Sequence, residues 1–173
     1  GGASSRQLPV PRRFLHELQA FCRAQGIVFI MDEVVTGFRW APGGVQEIEG
    51  LKPDLTTLAK ILAGGFPGGA VCGSREVMEF LRFPDPGTKT AKVGHPGTFN
   101  ANPLSAAAGA ACLREIADGR HQRRANDLAA QLRAGMNGVT CELGLPGFVY
   151  GQASEFRVVI AGTQVPEAQD YDP

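Results

Sequence analysis

The apolar run Ile27-Val28-Phe29-Ile30-Met31 contains no polar residue and stops abruptly at two carboxylates, Asp32 and Glu33. A run without alternation predicts a strand buried on both faces, the kind found in parallel sheets, and so an α/β architecture. In such sheets ligands sit just beyond the carboxyl ends of the strands, which puts Asp32 where a site would form. A second run, Asp54-Leu55-Thr56-Thr57-Leu58-Ala59, also ends in a charged residue, Lys60. The glycine-rich turn Gly64-Gly65-Phe66-Pro67-Gly68-Gly69 then returns the chain through Ala70-Val71-Cys72-Gly73. The chain is expected to deliver an acid and a lysine to one sheet edge.

Such a pair has two readings. One is an ion pair in a cleft. The other is pyridoxal phosphate chemistry, in which a lysine forms a Schiff base with the cofactor and a carboxylate keeps the pyridine nitrogen protonated. The protonated ring draws electrons from the substrate carbanion, and the displaced lysine shuttles the proton as a general base.

Three segments in order, Met31-Asp32-Glu33-Val34-Val35-Thr36-Gly37-Phe38-Arg39, Pro53-Asp54-Leu55-Thr56-Thr57-Leu58-Ala59-Lys60 and Gly97-Thr98-Phe99-Asn100-Ala101-Asn102-Pro103-Leu104, closely resemble class III aminotransferases. Within that family the chain looks most like the glutamate-1-semialdehyde aminomutase branch. The resemblance is good from Leu8 to Asp118 and weak beyond. It implies the fold of a fold type I pyridoxal-phosphate enzyme, a largely parallel sheet with helices on both faces followed by a small α/β domain. On that plan residues 1–115 are part of the cofactor-binding large domain, 116–140 a connecting helix, and 141–173 the start of the small domain.

The resemblance also implies roles. Lys60 would carry the cofactor, Asp32 would hold its ring nitrogen, and Val34 would pack on one face of the pyridine; a core valine is the plainer account of Val34. Thr98 would bind the cofactor phosphate of the neighbouring subunit, making the enzyme a homodimer acting on a small amino acid or amino aldehyde. Gly97, Thr98, Asn102 and Pro103 match the family's cross-subunit motif, whereas Phe99, Asn100 and Ala101 depart from it. A helix N-terminus capped by Thr98 or Asn102 is the alternative there. In the family, the phosphate turn and a ring-stacking aromatic come before the position of Gly1, and carboxylate-binding groups come after Pro173. The chain is therefore expected to be a fragment, inactive alone, or else an inactive interaction module of the same fold.

Other chemistries fail on particular residues. Asp32-Glu33 after an apolar strand also fits a Walker B ATPase strand, but no Walker A pattern precedes it and no Lys-Ser or Lys-Thr closes the glycine turn. Lys89 and Lys92 compete with Lys60, yet neither ends an apolar strand. Arg39 has the fork to bind a substrate carboxylate or to pair with Glu33, and Glu33 can hydrogen-bond near the site, orient Arg39 or cap the loop.

Seventeen basic residues balance seventeen acidic ones, so no field favours nucleic acid or an anionic membrane. Arg120, Arg123 and Arg124 read as a solvated helix face. No apolar run reaches the roughly 20 residues of a membrane span, and the expected compartment is the cytoplasm. Cys22, Cys72, Cys112 and Cys141 form no Cys-x-x-Cys pair, and His16, His95 and His121 complete no ligand pattern, so no metal is expected. Cys22 and Cys72 read as buried thiols.

Helices are expected at three places. Phe14, Leu15, Leu18, Phe21 and Cys22 form a stripe that would pack on the sheet, with Gly26 as the stop. A small-residue helix from Leu104 to Leu113 would approach another backbone closely, and the helical reading continues through Arg114–Arg124 to Met136. Val45–Glu49 reads as a brief helical piece, Ser74 as an N-cap, and Glu155–Ile160 as a strand.

Overall fold

The computed structural model describes residues 10–83, 85–87 and 92–160, with Arg12 as backbone alone. Its main sheet has three strands in the order β1 (Ile30–Asp32), β2 (Leu55–Ala59), β3 (Gly69–Gly73). β1 and β2 run parallel, with Ile30 opposite Leu55 and Asp32 opposite Thr57, whereas β3 is antiparallel to β2. The described part of the sheet thus pairs one parallel and one antiparallel neighbour about β2. Asp54 sets the parallel register: its Oδ2 accepts from Phe29 N at 2.8 Å while its own N–H donates to Phe29 O at 2.9 Å.

Three burial expectations need correction. β1 is shorter than its apolar run, and Ile27, Val28 and Ile30 are about half exposed while Phe29 is buried. Cys72 lies exposed on β3, every residue of which is exposed, β3 being an edge strand of the sheet among the described residues. Helix α1 (Arg12–Ala24) forms as the stripe predicts, but of that stripe only Cys22 is buried, and Phe14 and Phe21 remain largely exposed. Hydrophobic period reports which face a segment can bury. It does not report what lies over that face.

The core gathers where β1, β2 and the loop between them meet. Phe29, Val45, Leu51, Thr56 and Glu33 are buried there, and α2 (Gly44–Glu49) is the brief helical piece inside the loop. After β2 the chain makes a 3-10 turn over Lys60–Ala63, closed by Gly64 in the left-handed conformation. Ser74 accepts from Val77 N and caps α3 (Arg75–Met78).

The small-residue helix α4 (Pro103–Ile116) lies against that 3-10 turn. A Cβ at Gly109 would come within 2.5 Å of Leu62 O, and one at Gly64 within 2.6 Å of Ala108 O, so both contacts require glycine. We expect Gly109→Ala to push α4 off the turn that begins with Lys60, at a cost of about 2 kcal/mol. A chemical denaturation midpoint unchanged from wild type would contradict this packing.

The helical reading through Arg114–Arg124 is interrupted. α4 ends at Ile116 and α5 (Arg120–Glu142) begins after Gly119, whose φ of 74° turns the chain. The basic cluster there is largely paired. Arg120 contacts Glu115 and lies 3.6 Å from Asp118, His121 is 3.0 Å from Glu115, and Arg123 donates to Asp118 O at 3.1 Å. The hydrogen bonds from His121 and Arg120 hold the Glu115 carboxyl below the usual range.

Beyond α5, β4 (Gly147–Gln152) and β5 (Glu155–Ile160) form a two-stranded antiparallel hairpin that packs on it. Asn137 fastens the two, donating to Val149 O at 2.8 Å and accepting from Val149 N at 2.7 Å. Among the described residues no helix is long and apolar enough to cross a membrane.

Candidate active site

Asp32 ends β1 facing Thr57 of β2, and both neighbours grip the same oxygen. Thr57 Oγ1 donates to Asp32 Oδ1 at 3.3 Å and the backbone N–H of Val34 does so at 2.9 Å. Oδ2 has no partner among the described residues. One oxygen is held by the fold and the other is presented. Glu33 N donates to Thr57 O at 3.0 Å, continuing the pairing past Asp32.

Lys60 follows three residues after Thr57, at the same edge. Its φ is 53°, a conformation that non-glycine residues seldom adopt and that costs about 1 kcal/mol or more. The Lys60 amine makes no hydrogen bond or ion pair among the described residues, so the simple Asp32–Lys60 ion pair does not form. Strain of this sort clusters at functional segments. The other non-glycine residues with positive φ are Phe38 in the loop after Asp32, Ala101 in the turn that carries Thr98, and Ala153 in the hairpin turn.

Glu33 is fully buried and turns away from the edge to cap α2. Its Oε1 accepts from Gln46 N at 2.8 Å, and its Oε2 from Val45 N at 3.1 Å and from the Thr36 hydroxyl. A carboxylate at the N-terminus of a helix satisfies donors that have no intrahelical partner. Gly44, with φ 73°, is required beneath it, since a Cβ there would sit 2.6 Å from Oε2. Of the readings open for Glu33, capping is the one that holds.

Arg39 pairs with Glu155 of the hairpin, its Nε 3.8 Å from Oε1, and not with Glu33. Burial pushes the Glu155 carboxyl up from its ordinary value, against the opposing influence of Trp40, Arg39 and Lys60. Sequence patterning did not single out Glu155 or Thr57 as site residues, because Glu155 reaches Arg39 from the hairpin and Thr57 reaches Asp32 only through the strand register.

Val34 is half-buried beside Asp32. Thr98 is exposed in a turn closed by Asn100, which donates through N to Gly97 O and through Nδ2 to His95 O, both at 3.0 Å. The cap of α4 is Asn102, whose Oδ1 accepts from Leu104 N at 3.0 Å and Ser105 N at 3.2 Å. Thr98 therefore caps nothing, and its hydroxyl has no partner among the described residues. Asp32, Val34 and Lys60 come to one edge; Thr98 makes no bond to any of them. Lys92 lies with Nζ 3.3 Å above the Phe83 ring, and Lys89 lies outside the described residues. Among the described residues no cluster of metal-ligating side chains occurs.

Comparison with known proteins fits this geometry. Residues 7–142 match the model of the family described as aminotransferase class-III. A glutamate-1-semialdehyde 2,1-aminomutase of Methanothermobacter thermautotrophicus is 42% identical over 152 residues, covering 88% of this chain and 34% of the relative. An omega-transaminase from Sphaerobacter thermophilus superposes with a TM-score of 0.79 at 40% identity, over 94% of this chain and 38% of that one. A transaminase solved with PLP bound gives a TM-score of 0.76 at 37% identity, over 88% and 35%. The chain spans about a third of the length of the curated relatives it matches. With its three motifs inside the matched span, and with the fold of these transaminases, the chain belongs to the class III aminotransferase family.

Proposed function

We propose that this chain carries the lysine and carboxylate of a pyridoxal phosphate site in an enzyme that moves amino groups, of the aminotransferase or glutamate-1-semialdehyde aminomutase type. The observation that carries the reading is the Asp32–Lys60 edge. Among the described residues a carboxylate is fixed through Oδ1 with Oδ2 unengaged, on the strand paired to the one that ends at a lysine of positive φ whose amine makes no bond. Those residues fit the cofactor, since a ring N–H needs one acceptor oxygen and an aldehyde needs one free amine.

When bound, pyridoxal phosphate supplies the electron sink for a carbanion at the carbon bearing the amino group. Every other task belongs to the protein. Lys60 would hold the cofactor through its amine and would move a proton at that carbon. Asp32 would hold the proton of the ring nitrogen, with Thr57 and the Val34 N–H keeping the carboxylate turned to do so. The Val34 side chain excludes water from one ring face. The Thr98 hydroxyl and N–H donate to the phosphate in the neighbouring subunit's site, so the active assembly is a homodimer. Substrates in this reading are small amino acids or amino aldehydes, and the compartment is the cytoplasm. Residues 1–115 belong to the cofactor domain, 116–140 to the connecting helix, and 141–173 open the small domain.

Subunit mixing tests the arrangement in a full-length protein that carries this segment. Lys60→Ala and Thr98→Ala are each expected to be inactive as homodimers. In a heterodimer of the two, both lesions fall on one site and the other site is intact, so activity should return toward half of wild type per active pair. No recovery after demonstrated exchange would show that Thr98 does not serve the partner's site.

A further inference from the structure

Helix α5 grips two separate segments. Gln122 and Asn126 donate through their amides to Phe38 O and Trp40 O, each at 3.0 Å, which fastens the loop running on from Asp32. About two to four turns along the same helix, Arg133 donates to Ala153 O at 2.7 Å and Asn137 pairs with Val149, which fastens the hairpin. Loop and hairpin meet where Glu155, at the head of β5, lies 3.8 Å from Arg39 Nε. That separation is too long for a hydrogen bond.

Unspent polar atoms concentrate at this junction. Among the described residues Arg39 Nε, Trp40 Nε1 and Ser154 Oγ are buried donors without a partner within hydrogen-bond criteria, and Glu155 Oε1, Asn126 Oδ1 and Gln122 Oε1 are buried acceptors without one. A buried donor or acceptor left without a partner loses its hydration with nothing in exchange, so closing such groups onto one another is favourable. Donors and acceptors are complementary, so a small side-chain movement that closes Arg39 and Trp40 onto Glu155 recovers several of these bonds together.

We propose that Glu155 is a positioning residue whose ionised carboxylate clasps Arg39 and Trp40, holding the loop that runs on from Asp32 and Val34 against the hairpin, and whose protonation releases the clasp. The groups that face it divide by sign. From the loop, Trp40 and Arg39 favour the ionised form, as does Lys60 from the 3-10 turn, whereas burial and Glu33 at the end of β1 oppose it. α5 meets the same loop through the neutral Gln122 and Asn126, bonded to Phe38 O and Trp40 O, and Arg133 spends a donor on Ala153 O. Across the hairpin stands the neutral Gln152.

Burial is the largest of these influences and lifts the Glu155 carboxyl above its ordinary value. The native state then binds a proton that the unfolded chain has released in that window, so stability falls as pH rises through it. An ionised Glu155 costs the fold stability at neutral pH, and a glutamine would pack as well without that cost. Positioning accounts for a carboxylate there where stability does not.

Trp40 is the sole tryptophan of these 173 residues, so in a full-length protein carrying this segment, with any other tryptophan replaced by phenylalanine, its emission reports the clasp without any cofactor. The wild-type chain should show one titration step in emission above the ordinary glutamate range, with unchanged far-ultraviolet circular dichroism, and amide exchange in the loop should quicken through the same step. Glu155→Gln should lose the step, Glu155→Asp should retain it, and Arg39→Gln should move it upward. A step that persists in Glu155→Gln, or no step in a folded wild-type chain, overturns the proposal. If Glu155→Gln does not fold, an unmoved step in Arg39→Gln overturns it equally. Because the readout is independent of cofactor attachment, it can fail while Lys60 is labelled, or hold while Lys60 is not.

Discussion

Asp32→Asn should leave Lys60 able to take up the cofactor while turnover falls about a thousandfold, equivalent to about 4 kcal/mol of barrier. Asparagine keeps the size of the side chain, and its amide oxygen can still accept from Thr57 and the Val34 N–H. What it removes is the negative charge on the presented oxygen, and with it the preference for a protonated ring nitrogen. Binding and turnover should therefore separate. The visible absorbance of the bound cofactor should persist, shifted in position, while the single-turnover rate collapses. Near-normal turnover would remove Asp32 from the role assigned to it.

Glu33→Ala should be the most destabilising single change in the loop, by about 3 kcal/mol. The carboxylate is fully buried and takes three bonds, from Thr36, Val45 and Gln46, so its removal strands two backbone N–H groups at the start of α2. Glu33→Gln should also cost stability. Both oxygens of Glu33 are acceptors facing donors, and an amide nitrogen in either place would meet an N–H or O–H. Urea denaturation should show a lower midpoint at unchanged slope for both variants, with alanine the worse. A midpoint equal to wild type in Glu33→Ala would mean that the cap does not hold the loop.

The chemistry-bearing edge was legible in the sequence because it is written locally: apolar strands that stop at Asp32 and Lys60, and glycines at Gly64 and Gly109 where two backbones approach. The cap on α2 was not, since Glu33 meets Val45 and Gln46 only after the intervening loop folds back. The Arg39–Glu155 contact joins the loop to a hairpin on the far side of α5, and no local pattern marks it. The break between α4 and α5 did carry a signal. Asp118-Gly119 is a turn dipeptide, and the Asp118 carboxylate accepts from Arg120 N at 2.9 Å to start the next helix. A run of good helix formers on both sides outweighed it. Exposure of Ile30 and Cys72 was not legible either, because periodicity cannot say what covers a face.

Borohydride reduction of a full-length protein carrying this segment, incubated with pyridoxal phosphate and followed by peptide mapping, bears most directly on the central claim. Four lysines are available in this chain, Lys52, Lys60, Lys89 and Lys92. The label should fall on Lys60 in stoichiometric amount and disappear from this chain in Lys60→Ala. A label on Lys52, Lys89 or Lys92 with none on Lys60 would contradict the assignment of the site.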